Sequence, residues 1–175
     1  LLDSPIKLNV LSLQESRGLE LDEFDSHLKP FGISRTLLAS LIDTFAHAKT
    51  FGSLIQIPEA LDGGLPALME GLDAAIQSGD VFAQAAAQDL LPIVTQATVL
   101  ATKFDAVVAN PPYMGGKGMN ADIKDFAKVN FPDSKPDLFA MFIERGFGWC
   151  KRSGFNSMVT MQSWMFLSSF EAMRK

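Results

Sequence analysis

Asn110-Pro111-Pro112-Tyr113 is the segment of this 175-residue chain whose residue types and spacing can do chemistry. The two prolines fix φ and remove two backbone donors, leaving a rigid loop whose carbonyls are free acceptors. Asn110 adds a side-chain oxygen acceptor, and Tyr113 offers a flat face for stacking. Two converging acceptors beside an aromatic plate can hold an exocyclic amino group and draw its protons away from the nitrogen lone pair. An amine conjugated to a ring is a poor nucleophile. Hydrogen bonds that favour its pyramidal, positively charged transition state are electrostatic catalysis. No general base is needed before attack, consistent with histidines only at positions 27 and 47. The bland alternative is a tight turn after a strand, since Asn-Pro and Pro-Pro are common loop dipeptides.

The elements around the motif give it a place. Phe104–Ala109 (FDAVVA) is a short apolar run of the kind buried on both faces of a parallel sheet, and it runs straight into the motif. In an open α/β sheet ligands bind at the carboxyl ends of strands, where the tetrapeptide falls. Beyond it the pattern predicts a short helix at 122–130, a longer one at 137–151 and a strand at 156–162. Strand, helix, strand is the signature of a parallel sheet covered by helices. Residues 164–175 read as a further helix.

Upstream, Lys7–Leu13 (KLNVLSL) alternates like a strand. Residues 18–33 read as a loop with one helical turn. Helices are expected at 35–49, capped by Ser34, at 65–78, and from Val81 to 103 with a kink or break at Pro92. Gly52–Ile57 reads as a short strand or extended segment closed by Pro58, and Asp62-Gly63-Gly64 as a turn.

Composition bounds the rest. The chain is 47% hydrophobic and 20% charged, enough for a core and too little charge for disorder. No apolar run approaches the roughly 18 to 20 residues of a membrane span. One cysteine excludes a disulfide framework, and with two histidines a structural zinc site has too few ligands. The net charge of −5 is uneven: residues 1–109 carry 6 Lys/Arg against 14 Asp/Glu, residues 110–175 carry 9 against 6. A polyanion would be met by the C-terminal third. The first residues lack an initiating Met, a basic n-region and an apolar h-region, so a cytoplasmic, internal piece of a longer protein is expected.

FDAVVANPPY resembles motif IV of the S-adenosylmethionine-dependent amino-methyltransferases, specifically the N6-adenine DNA methyltransferases. With NPPYMGGKGMN, FPDSKPDLFAMFIER and MVTMQSWMFLSSFE, the stretch 104–175 looks like the adenine methyltransferases of BREX phage-defence systems. KLNVLSLQES at 7–16 fits them as well, and the helical stretch 18–103 resembles an insertion. The resemblance implies an α/β, partial Rossmann-like methyltransferase fold, with 1–175 a fragment of its catalytic domain. It implies that Asn110 and Pro111 bind the adenine amino group and that Tyr113 stacks on the flipped base. Asp137 and Phe139 would lie in motif V, lining the cofactor's adenine pocket, and Ser16 near motif III. The glycine-rich motif I and acidic motif II, the main S-adenosylmethionine site, are absent from these residues, so the chain alone is expected to be inactive. DNA would be the partner, with other defence-system proteins besides, and open strand edges would favour self-association. The alternatives are a protein-glutamine or RNA amino-methyltransferase, which use the same tetrapeptide, and a non-catalytic helical interaction module at 18–103.

Several other signals are weaker. Gly116-Lys117-Gly118-Met119-Asn120-Ala121 fits G-x-G-x-x-A formally, but the motif separates it from the strand that this fingerprint needs. A mobile loop closing on the base, with Lys117 near a phosphate, is the better reading, beside a plain linker. His47 is expected to be structural, Cys150 a small core thiol, and Lys151-Arg152 a favourable pair at a helix C-terminus; Trp164 and Phe166 stand at a sheet end where they could border the base pocket, with core packing the better reading.

Overall fold

A computed structural model describes residues 8–175, which form two compact units: residues 8–49 with Ile55–Ala101, and Thr50–Leu54 with Thr102–Lys175.

The first unit is helical. α1 (Leu21–Leu28), α2 (Arg35–Thr44), α4 (Glu59–Gln77) and α5 (Val81–Ala101) pack around fully buried leucines such as Leu28, Leu38, Leu61 and Leu90. The helix expected at 35–49 ends instead at Thr44, before buried Phe45, and a single further turn, α3, covers Ala48–Phe51. The predicted Asp62-Gly63-Gly64 turn lies inside α4. Two of its glycines lie in close contacts: a Cβ on Gly64 would meet Leu37 Cδ2 at 2.5 Å, and one on Gly71 would meet Ile33 Cγ1 at 2.5 Å. Gly52–Leu54 is a 3₁₀ turn, not an extended segment. Pro92 does not break α5; it sits on the solvent side, where the carbonyl it leaves unpaired can meet water.

The strand predicted at 7–13 is not formed over residues 8–13, and Lys7 lies outside the described residues. The following residues find a different partner. Gln96, 2% exposed in α5, accepts from Gln14 N at 2.8 Å and donates to Gln14 O at 2.8 Å. A helix side chain thus makes the two bonds that a neighbouring strand would make, satisfying the segment's backbone without a sheet.

In the second unit β1 (Phe104–Ala109) and β2 (Cys150–Met158) pair in parallel, joined through α6 (Ala121–Asn130) and α7 (Leu138–Trp149). β2 starts six residues earlier than the periodicity predicts, because its first residues bulge. The register jumps from Phe104↔Cys150 to Ala106↔Phe155. Gly154 makes this possible: a Cβ would lie 2.9 Å from the carbonyl oxygens of Phe104 and Asp105. α7 packs on both strands, and Phe139, Ala140, Ile143 and Phe170 form the core there. β1 is not buried on both faces: Val108 on it and Phe155 on β2 are 80% and 76% exposed. Among the described residues the sheet has only these two strands, so one face takes α7 and the other takes none. After β2 the chain makes three 3₁₀ turns, Gln162–Met165, Ser168–Phe170 and Ala172–Arg174, in place of the helix predicted at 164–175. Their buried anchor is Phe170 alone, too sparse for an amphipathic stripe.

Candidate functional site

Ala109 ends β1, and Asn110 to Tyr113 cross the carboxyl edge of the strand pair. Val159 N donates to Ala109 O at 3.0 Å, and the Tyr113 hydroxyl donates to Val159 O at 3.2 Å. The loop leaving β1 is thereby tied to the end of β2. Pro111 is buried and acts as its foot, whereas Asn110 and Pro112 are exposed. The Asn110 amide has no hydrogen-bond partner among the described residues, so its oxygen is open to a ligand. Tyr113 is 49% exposed, and its ring meets Phe139 edge-on, with centroids 6.0 Å apart at 86°. An edge contact fixes the ring while leaving a face free for stacking.

Asp137 sits at the centre of the loop's supports. It is the N-cap of α7: its Oδ1 accepts from Phe139 N at 3.3 Å and from Met114 N at 3.1 Å. Leu138 N donates to Met114 O at 3.0 Å, Gly116 N donates to Pro136 O at 3.2 Å, and Gly115 and Asp137 form an antiparallel bridge. Residues 114–116 are thus pinned to residues 136–138, and the segment after Tyr113 is clipped to the helix that covers the sheet. The clip was not legible in the sequence, because it pairs backbone groups that carry no side-chain signature.

The expected residues divide accordingly. Asn110, Pro111, Pro112, Tyr113, Asp137 and Phe139 come together in the second unit. Phe139 is 1% exposed, in the core against Phe170 and in contact with the Tyr113 ring. Asp137 keeps Oδ2 free of any described partner, and this is the polar atom here that fits a ligand hydroxyl or amine. Ser16 belongs to the first unit, where it is 1% exposed; its hydroxyl donates to Ile42 O and its amide to Phe45 O at 3.1 Å. It holds the Gln14–Ser16 segment to α2 and offers no free donor. Lys117 is exposed, with no carboxylate partner among the described residues. Trp164 is half-buried and lines a cavity of about 170 Å³ with Phe147, Asn156 and Thr160, while Phe166 is exposed rather than packed in the core. Cys150 is half-buried. Lys151 leaves the helix end for Asp105 on β1, 2.9 Å away. His47 is half-buried in the first unit. Among the described residues no group of acidic, His or Cys side chains is placed to hold a metal, and no helix is long and apolar enough to cross a membrane.

Sequence reasoning passed over Arg145, which is 7% exposed and whose Nε donates to Ser53 O at 3.3 Å. Its guanidinium lies 4.2 Å from the Trp149 ring centre, and burial pushes its pKa down to about 10, leaving it charged at neutral pH. An arginine in the apolar stripe of α7 was the available signal.

Parallel strands with a helical connection define an α/β arrangement, with the motif loop across their carboxyl ends. The chain belongs to the Eco57I restriction-modification methylase family, whose profile matches residues 26–175. It is 46% identical, over 97% of its length, to the adenine-specific methyltransferase BrxX of Escherichia coli O9:H4 (strain HS). It is 31% identical, over 91% of its length, to the adenine-specific methyltransferase PglX of Lacticaseibacillus casei (strain Zhang). The chain spans 16% and 14% of the lengths of these two relatives.

Proposed function

We propose that the protein carrying this chain transfers a methyl group from S-adenosylmethionine to the N6 amino group of adenine in DNA, as part of a restriction-modification or BREX-type phage-defence system. The observation that carries this reading is the placement of Asn110 and Tyr113. An unpartnered amide oxygen and a fixed, half-exposed aromatic ring stand on one rigid loop at the carboxyl edge of a parallel strand pair. The names of the two relatives support the substrate. The parallel β1–β2 pair with its helical crossover supports a Rossmann-like methyltransferase sheet, with residues 18–103 a helical insertion and 104–175 the part that bears the motif. The working compartment is the cytoplasm, and other defence-system proteins are its partners.

An adenine turned out of the duplex stacks on the Tyr113 face. The Asn110 side-chain oxygen and the Pro111 carbonyl accept the two N6 protons. Both bonds strengthen as the nitrogen becomes pyramidal and positive, so they lower the barrier more than they stabilise the bound base. Phe139 and Asp137 act from behind, holding the ring and the loop in register. S-adenosylmethionine supplies the electrophilic methyl group when bound, and Asp137, whose Oδ2 has no partner among the described residues, would accept a hydrogen bond from it. The main cofactor contacts belong to motifs outside these residues.

Asn110→Ala in the complete protein tests the reading. By analogy with the loss of one oxyanion-hole donor, kcat is expected to fall about 10²- to 10³-fold, with smaller effects on DNA and cofactor binding. Single-turnover methylation of duplex DNA, RNA and a glutamine-bearing release-factor peptide measures the rate and the substrate class together. A chemical step within a few-fold of wild type, or transfer to RNA or peptide but not to DNA, refutes it.

A further inference from the structure

Three lysines of the C-terminal third meet at one place in the second unit. A cavity of about 390 Å³ is lined by Gly116, Met119, Lys124, Lys128 and Lys135. Lys124 and Lys128 are one turn apart on α6, where two like charges disfavour the helix slightly, and Lys135 comes from the turn leading into α7. Lys128 is paired with Asp125 at 2.7 Å, whereas Lys124 and Lys135 have no carboxylate among the described residues. Met119, 4% exposed, provides an apolar floor that keeps water off one side. Three ammonium groups line one hollow, two of them without a carboxylate partner among the described residues, and an anion bound there would be favoured.

We infer that this cavity holds a backbone phosphate of the DNA strand that carries the target adenine, an inference that rests on the DNA reading above. Its wall is not independent of the base platform. Gly116 stands three residues after Tyr113, and its amide is bonded to Pro136 O, next to Lys135. The clip that fixes the motif loop therefore fixes the cavity at a set distance from the stacking ring. A base can be extruded only if the backbone on either side is held, and phosphate contacts set that register. Lysine ammoniums bind phosphate oxygens as point charges with rotatable donors.

The test uses the complete protein with all three lysines changed, Lys124→Gln, Lys128→Gln and Lys135→Gln, and a second variant with all three changed to Arg. Affinity for a DNA duplex is measured across a salt series. Losing one phosphate contact is expected to reduce the slope of log K against log salt by about 1, equally for cognate and unrelated sequences, with Arg restoring it. Single neutral methylphosphonate linkages near the target adenine then locate the contact: one position weakens wild type and leaves the Gln variant unaffected. An unchanged salt slope, or the same methylphosphonate penalties in both proteins, overturns the inference. All three side chains are exposed, and an unchanged melting temperature certifies the fold. The two readings fail separately. An unchanged slope leaves the Asn110→Ala result standing, and a reduced slope in a protein that methylates no DNA retains the phosphate site alone.

Discussion

Replacing Asp137 puts the clip to a quantitative test. In Asp137→Ala, α7 loses its N-cap, a loss of about 1 kcal/mol. Met114 N loses a charged acceptor at 3.1 Å, and one such bond is worth roughly 1.5–3 kcal/mol. Part of that is recovered if water reaches the half-buried amide, so a net loss of about 2 kcal/mol for the clip follows. Asp137→Asn keeps an acceptor in the same place and is as good an N-cap, so it gives up only the charge, about 0.3–1 kcal/mol. Hydrogen exchange read by mass spectrometry on peptides covering residues 113–118 and 136–140 measures the local opening directly. A loss of about 2 kcal/mol is a roughly 30-fold faster exchange at Met114, Gly116 and Leu138 in Asp137→Ala, against a few-fold in Asp137→Asn. On the proposed function, kcat for methylation falls in the same order as the loop loosens. Equal exchange in Ala and wild type would show that the carboxylate does not hold the loop, and Asn exchanging as fast as Ala would show that the charge, not the acceptor alone, holds it.

Other outcomes follow from single contacts. Tyr113→Ala is expected to weaken capture of the flipped adenine by roughly 1–3 kcal/mol, read by 2-aminopurine fluorescence at the target base, while Tyr113→Trp keeps the face and most of the capture. Tyr113→Phe keeps the stacking and loses only the bond to Val159 O, so a large loss of capture in this variant would assign the hydroxyl a role in binding. Gly146→Ala drives a Cβ to 2.5 Å from Asn156 Oδ1 and Met158 Cε, and should destabilise the protein by about 1–3 kcal/mol in urea unfolding, whereas a neutral result would mean that β2 moves away freely. The 175-residue chain by itself should bind S-adenosylmethionine at best very weakly and self-associate through its open strand edges; micromolar affinity in calorimetry, or a monomer by light scattering, contradicts this.

Sequence alone determined the motif, its place at the end of β1, the two helices after it and the return to a parallel strand. These features are written in local order: an apolar run, a Pro-Pro break, a 3.6-residue stripe, an N-cap. Where a residue's meaning depended on a partner far along the chain, only the tertiary structure decided it. Gly64 reads locally as a turn, yet it lies inside α4, where its missing side chain leaves room for Leu37. The alternating segment before Gln14 reads as a strand, yet no strand pairs with it over residues 8–13, and Gln96, 82 positions away, takes Gln14's backbone bonds. Asp137 and Phe139 read as a ligand-facing pair by likeness to a family motif. Folding spends one carboxylate oxygen on Met114 and Phe139 amides and the phenyl ring on the core, since a buried donor and an aromatic ring are stabilised most where water is excluded. Local sequence reports the periodicity of an element; which of its residues are left for chemistry is settled by what packs against it.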